Sequence, residues 1–306
     1  MLLLSIISCG RGKYVTFSGY AQGGVYAVKA NLSGVAEKEK TIGKHIDSLL
    51  TGIDFSLSGY NRNSLLSRRN AGEEIVPDRF FEEALALSEK YNEFTGGVFD
   101  VWSAPLFDIW GFGFTRDSLP SQTLVDSALA ECAAHRKLNF NAIAQGYTCD
   151  VIADYLHSLG VKDMLVNIGE IYCEGVNENG SGWTIGVDSP IDGNDTPGKD
   201  ITGIWQSDGN ACGIVTSGNY RKFYIHEGKK YAHTIDPRTG YPVSHDLLSA
   251  TITAPTAAEA DALATACMVM GPEASKEFIN SHEGIEGYLI TSDGTWKSEG
   301  FRLIFQ

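Results

Sequence analysis

The chain has 306 residues, 43% of them hydrophobic and 20% charged, a composition typical of a globular protein and a length that one large domain with one extensive core can reach. A net charge of −14, with no cluster of Lys and Arg, argues against nonspecific nucleic-acid binding, which needs a basic face to track phosphates. Six cysteines (Cys9, Cys132, Cys149, Cys173, Cys212 and Cys267) without CxxC spacing argue against a zinc site, and most read as small buried apolar residues.

The apolar run MLLLSIIS ahead of Cys9 resembles the end of a bacterial lipoprotein signal, although the positive segment that opens such signals is missing. Residues 1–12 are therefore expected to be a signal remnant and tether, with a disordered apolar terminus as the plainer alternative, and residues 13–306 the folded domain. No other stretch approaches the ~20 apolar residues of a membrane-spanning helix.

From Lys13 the pattern KYVTFSGYAQGGVYAVKANLS alternates apolar and polar residues about a Gly-rich turn and predicts a strand pair. Lys38 to Leu50 predicts an amphipathic helix, and DFSLSGYNRNSLLSRRN has loop composition. Asp78 to Phe94 predicts a second helix, with Phe80, Ala84, Leu87, Tyr91 and Phe94 on one stripe and Gly96 and Gly97 ending it. GVFDVWSAPLFDIWGFGF has no clean period. Ser121 to His135 predicts a third helix. Leu138 to Leu159 reads as a short strand turning into a helix whose first turn holds Ala142 to Gly146, stopped by Gly160. Met164 to His233 is mostly strands, with DSPIDGNDTPGKD as an insertion between two of them. Helices over Ala257 to Met270 and Pro272 to Ser281 precede a last strand around Gly287 to Ile290. Strands and helices are partly segregated, so the fold class expected is α+β, with mostly antiparallel sheets flanked by helices.

Four segments carry candidate chemistry. In EADALATACMVMG, Asp261 and Thr265 lie four apart on one face of a helix that is apolar almost all round. A buried carboxylate is costly unless paired or bound to a metal, and carboxylate plus hydroxyl is hard oxygen ligation suited to Mg²⁺. The competing reading puts Asp261 in an exposed first turn favouring the helix N-terminus, and bonds Thr265 back to a carbonyl. NFNAIAQGYTCD places small residues where a helix starts, so its amides could hold phosphate, but it is neither a Walker motif nor a GxGxxG turn. AHTIDPRTGYP carries His233, a candidate general base or a structural strand histidine. IVTSGNY has the small hydroxyl pattern of a phosphate or ribose contact, and equally that of a strand ending in a turn. No GxSxG nucleophile elbow is present.

Taken in order, SGYNRNSLLSRRN, TGGVFDVWSAPLFDIWGFG, NFNAIAQGYTCD, LVNIGE, GWTIGVDSP, VTSGNYRKF, AHTIDPRTGYP and APTAAEADALATACMVMG resemble the ApbE family of flavin transferases, over about Gly19 to Gly271. The resemblance implies a single ApbE-like α+β domain that uses FAD as donor and transfers FMN to a Ser or Thr hydroxyl of a partner redox protein, releasing AMP. Such acceptors carry a Ser/Thr-Gly-Ala-Ser/Thr type motif, which this chain lacks. It further implies Mg²⁺ held by Asp261, Thr265 and the Ala142 carbonyl, with flavin-nucleotide contacts at Tyr60, Val98, Phe99, Asp100, Asn139, Gln145 and Ile235, and His233 activating the acceptor hydroxyl. Gln22, with Gly23 and Gly24, stands at an adenine-side contact where the family usually has Met-Gly-Thr. Gln145 replaces a common Lys, and Glu170 follows Gly169 where a Gly pair is usual. Water in place of the acceptor makes the same site an FAD pyrophosphatase, and a flavin-binding lipoprotein without turnover is the non-enzymatic alternative. A lipidated Cys9 places the protein on the outer face of the cytoplasmic membrane, in the cell envelope.

Overall fold

The computed structural model describes residues 12–112, 119–191, 198–220 and 223–304. Cys9 and the run before it lie outside these residues. Tyr14–Ala21 (β1) and Gly24–Asn31 (β2) form the opening hairpin, closed by Gln22 and Gly23 at φ 50° and 83°. Two positive φ angles make the mirror-image turn whose twist matches that of the strands. Helices follow at Glu39–Leu57 (α1), Leu65–Asn70 (α2) and Arg79–Phe94 (α3). A 3-10 turn at Val101–Ser103 then leads to Ala104–Ile109 (α4), Gln122–Ala133 (α5) and Ala144–Ser158 (α6).

The strand-rich part comprises Met164–Asn167 (β3), Ile171–Glu174 (β4), Thr184–Asp188 (β5), Ile201–Gln206 (β6), Cys212–Gly218 (β7), Phe223–His226 (β8), Lys229–Ala232 (β9) and Leu247–Ala254 (β10). Ala257–Met270 (α7) and Pro272–Ser281 (α8) come next, then Glu286–Thr291 (β11), Thr295–Lys297 (β12) and Leu303–Ile304 (β13). Among the described residues eight strands form one antiparallel sheet in the order β1-β2-β3-β4-β7-β10-β11-β12. Smaller sheets are β13-β6-β5 and β8-β9. This is the expected α+β class in a single domain.

Helix α7 organises the core. It lies on β7 and β10 with one side and meets α6 and α3 with the other. Leu263, Cys267 and Met268 pack with Val215, Ala250, Ile252 and Leu289, while Ala258, Ala262 and Ala266 join Phe81, Tyr91, Phe140 and Ile143. With eleven of its fourteen residues buried, α7 has no solvent stripe, as its sequence predicts. Small residues set the spacing: a Cβ on Gly146 of α6 would sit 2.3 Å from the Ala257 carbonyl oxygen.

Several local expectations fail for identifiable reasons. Helix α1 runs on to Leu57, because Ile53 and Leu57 continue the buried Ile42, Ile46, Leu50 stripe through Asp54 and Ser56. The supposed loop after it also holds α2, capped by the Ser64 hydroxyl accepting from the Ser67 amide. The buried stripe of α3 is Phe81, Ala84, Ser88 and Tyr91, one position round from the expected one, and Phe94 is exposed. Leu138 to Phe140 is not a strand. Asn139 donates one amide bond to the Val101 carbonyl, and no ladder forms. Two short strands follow the one predicted as last. The 188–200 segment does join two strands, β5 and β6, although residues 192–197 lie outside the described ones. No helix among the described residues is long and apolar enough to cross a membrane.

Candidate active site

The ends of α6 and α7, the turn before the 3-10 segment, the end of β7 and the strand-to-turn segment after β9 surround one cleft of about 310 Å³. Its lining includes Tyr60, Val98, Phe99, Asp100, Asn139, Ala142, Gln145, His233, Ile235, Asp261 and Thr265, so every site residue predicted from the sequence except Gln22 lies on it. Gln22, at the tip of the first hairpin, donates through Nε2 to the Thr148 hydroxyl of α6 (2.6 Å) and is absent from the lining; its Oε1 is buried without a partner.

Asp261 is 4% exposed, and its Oδ2 accepts from the Gly146 amide at 3.0 Å. That excludes the exposed first-turn reading. Burial raises its pKa above the usual carboxylate range, Asp150 adds to the rise, and the Gly146 amide opposes it. Gly146 is the residue whose amide would bond the Ala142 carbonyl if the helix began one turn earlier. Because that amide goes to Asp261, no backbone amide among the described residues donates to Ala142 O. The Thr265 hydroxyl likewise makes no hydrogen bond among the described residues, and no bond back to a carbonyl. Three oxygen donors of different kinds, the second Asp261 oxygen, the Thr265 hydroxyl and the Ala142 carbonyl, therefore line one cleft with capacity to spare. The described residues contain no group of three His, Cys, Asp or Glu that could cage a metal. A Mg²⁺ site completed by phosphate oxygens needs none.

The remaining lining is held from behind. Asn92 Nδ2 donates to the Phe99 carbonyl (2.8 Å) and the Thr95 hydroxyl accepts from the Phe99 amide (3.0 Å), which fixes the Val98 to Asp100 turn. Asp100 accepts from the Trp102 amide (2.8 Å), and burial raises its pKa. Asn139 accepts from the Asn141 amide (2.9 Å). Gln145 Nε2 donates to the Ile168 carbonyl (3.0 Å), against Gly169 at φ 109°. His233 is half-buried with its ring 6.3 Å from that of Phe112, and next to it Thr234 donates to Asn219 (2.6 Å). The following turn is braced by the fork of Arg238 on Asp236 and by the Trp110 indole on the Gly240 carbonyl (2.7 Å).

Two features depart from the sequence reading. The first turn of α6 is not an open phosphate cradle, since the amides of Ala144, Gly146 and Tyr147 are taken by Phe140 O, Asp261 and Ile143 O, which leaves only that of Gln145 without an acceptor among the described residues. The described lining also contains no Lys or Arg, only the carboxylates Asp100, Glu170 and Asp261. Phe107, Phe112, Asn141, Met268 and Val269 also line the cleft; they lie inside the quoted segments but are not singled out within them. Thr216 and Ser217 do too, as the VTSGNY pattern allowed.

The sequence profile of the ApbE family matches residues 19–289. A relative from Escherichia coli (strain K12), an FAD:protein FMN transferase, is 31% identical over 304 residues, covering 90% of this chain and 85% of the relative. The crystal structure of Pseudomonas stutzeri flavinyl transferase ApbE in its apo form superposes with a TM-score of 0.82 at 30% identity, over 96% of this chain and 97% of that one. Flavin transferase ApbE from Vibrio cholerae gives 0.79 at 28% identity, over 95% and 98%. Profile, sequence and fold agree over nearly the whole length: the chain belongs to the ApbE family.

Proposed function

We propose that this chain is an FAD:protein FMN transferase that requires Mg²⁺. The observation that carries the metal requirement is the cleft itself. A buried carboxylate, and a hydroxyl and a carbonyl without hydrogen-bond partners among the described residues, line it, and no described cationic side chain is present to meet a pyrophosphate. Mg²⁺ bound by Asp261, Thr265 and Ala142 supplies the positive charge that a phosphoryl transfer needs on its oxygens. The Val98 to Asp100 turn, Tyr60, Asn139, Gln145 and Ile235 then orient the donor. A ring nitrogen of His233 takes the proton of a Ser or Thr hydroxyl on the partner redox protein. That oxygen bonds to the FMN phosphorus, the bond from this phosphorus to the bridging oxygen breaks, and AMP leaves with the bridging oxygen.

Gln22 is assigned to the adenine side through the hairpin tip. We further propose a lipid anchor at Cys9, which places the enzyme in the bacterial cell envelope beside small redox subunits with the Ser/Thr-Gly-Ala-Ser/Thr type motif. Mass spectrometry of the mature chain tests the anchor, and an unmodified Cys9 refutes it.

The activity is tested with the full chain, FAD and Mg²⁺, with and without an acceptor domain carrying the motif, following AMP release and in-gel flavin fluorescence. Fluorescent acceptor that vanishes with Asp261→Ala is the expected result. AMP without labelled acceptor indicates FAD pyrophosphatase activity instead. Bound FAD with no AMP refutes both and leaves a flavin-binding protein.

A further inference from the structure

Helices α6 and α7 cap one another through two carboxylates that run in opposite directions. Asp261, in the second turn of α7, accepts from the Gly146 amide in the first turn of α6 (3.0 Å). Asp150, in the second turn of α6, accepts from the first two amides of α7, Ala257 and Ala258, through its two oxygens at 2.8 Å each. Orphan amides at a helix start favour an acidic partner, so each helix satisfies the other's. Asp150 does not line the cleft and its hydrogen bonds go to the Ala257 and Ala258 amides rather than to a proposed cation ligand, although its charge adds to the raised pKa of Asp261.

We propose that Asp150 is a positioning residue for the cation site: by gripping the Ala257 and Ala258 amides it sets the axial register of α7 on α6, and with it the placement of Asp261 and Thr265 relative to the Ala142 carbonyl. This rests on the metal reading above. Ala257, Asp261 and Thr265 follow one another at four-residue steps, so all three share one face of α7. A helix advances about 1.5 Å per residue, whereas metal–ligand distances tolerate about ±0.2 Å, so even a fraction of a one-residue slip at Ala257 removes the ligands from reach. Gly146 and Gly213 let the start of α7 come close, and a Cβ on Gly213 would lie 2.4 Å from Ala257 Cα. Close approach fixes the separation, and the two-amide grip fixes the register. The other cap of α7, the Thr256 hydroxyl accepting from the Glu259 amide at 3.2 Å, belongs to the same segment and moves with it. It stabilises the helix without locating it.

That contrast supplies the control. Mn²⁺ binding to the full chain without FAD is measured by electron paramagnetic resonance for the unaltered protein, Asp150→Asn, Asp150→Ala and Thr256→Ala, together with melting temperatures. Asp150→Asn keeps the size but turns an NH₂ toward one of the two amides. It is expected to raise the Mn²⁺ Kd by roughly 10- to 100-fold, the usual effect of losing a group that orients a ligand. Thr256→Ala is expected to lower the melting temperature while leaving the Kd within about twofold, because a lost cap costs stability and no register. A folded Asp150→Asn or Asp150→Ala variant with unchanged Kd overturns the proposal. If neither variant folds, hydrogen exchange on the unaltered chain decides. Mn²⁺ is expected to slow exchange of the Ala257 and Ala258 amides along with that of Gly146, and no change at 257 and 258 overturns it. Absence of Mn²⁺ binding by the unaltered chain both without FAD and with FAD present refutes the cation site itself, an outcome distinct from retained binding in the Asp150 variants.

Discussion

Gly146→Ala sets two physical effects against each other with opposite signs. On helix propensity alone, Ala in place of a helical Gly stabilises by about 1 kcal/mol. The structure predicts the reverse. The new Cβ would lie 2.3 Å from the Ala257 oxygen, 2.7 Å from its carbonyl carbon and 2.8 Å from Asp261 Cβ, and two of these three neighbours are backbone that cannot swing aside. Overpacking of this kind costs about 1–3 kcal/mol, and pushing α7 away breaks the bond from the Gly146 amide to the Asp261 carboxylate, worth about 1.5–3 kcal/mol. After the propensity gain, the net loss is about 1.5–5 kcal/mol. Urea unfolding of the two proteins at equal pH measures it. Because the displacement also moves Asp261, Mg²⁺-dependent AMP release is expected to fall in the folded fraction. A variant as stable as the parent, or more stable, would show that α6 and α7 are not in fact locked at this contact.

Three further outcomes follow from the site and its surroundings. Gln145→Lys puts a cation into a cleft whose described lining has three carboxylates and no Lys or Arg; about 1 kcal/mol of added attraction lowers the KM for FAD roughly fivefold, and an unchanged KM places the pyrophosphate elsewhere. Thr265→Val removes a hydroxyl that has no partner among the described residues, so stability is expected to stay within about 0.5 kcal/mol while the Mg²⁺ concentration for half-maximal AMP release rises at least about tenfold; a large loss of stability with unaltered Mg²⁺ dependence contradicts the ligand role. His245 is held neutral, because Nδ1 accepts from the Leu247 amide and Nε2 meets the Met268 carbonyl, and burial lowers its pKa. The folded state then binds fewer protons than the unfolded one, so stability is lost as pH falls through about 6.5 toward the lowered value. His245→Gln should flatten that part of the urea-midpoint profile between pH 8 and 5, and an identical slope in the variant assigns the proton to another group.

What the sequence shows and what it hides divide along the range of the interactions. Helices α7 and α8 lie where their pattern puts them, since the limits of both are set by local signals: the Thr256 cap, Gly271 at φ 82° and Pro272. The first hairpin is legible because two positive-φ residues separate two alternating runs. Leu138 to Phe140 has equal strand character on paper, yet a strand exists only where a neighbour offers a ladder, and the one bond to Val101 is not a ladder. The pairing of β4 with β7, across some forty residues that contain a second sheet, has no local signature at all. At the site, family resemblance names Asp261, Thr265, Ala142 and His233, which all line one cleft, whereas nothing in QGYTCD announces that Asp150 reaches the amides of residues 257 and 258.

The phosphate-binding expectation for the start of α6 shows how tertiary structure overrides a sound local inference. Small residues at a helix start do expose amides that attract anions, and an anion has found them: it is Asp261 rather than a phosphate. Once the carboxylate occupies the Gly146 amide, the helix end no longer presents a net positive site, and a pyrophosphate brought to it meets a like charge. On the proposed reading, a cation held by the remaining Asp261 oxygen and by the Ala142 carbonyl, which accepts no amide among the described residues, would offset that charge. One hydrogen bond thus takes up an amide that a phosphate could have used and leaves the Ala142 carbonyl without an amide among the described residues. The Gly146 to Asp261 contact therefore determines the chemistry of the cleft as much as it does the packing of the two helices.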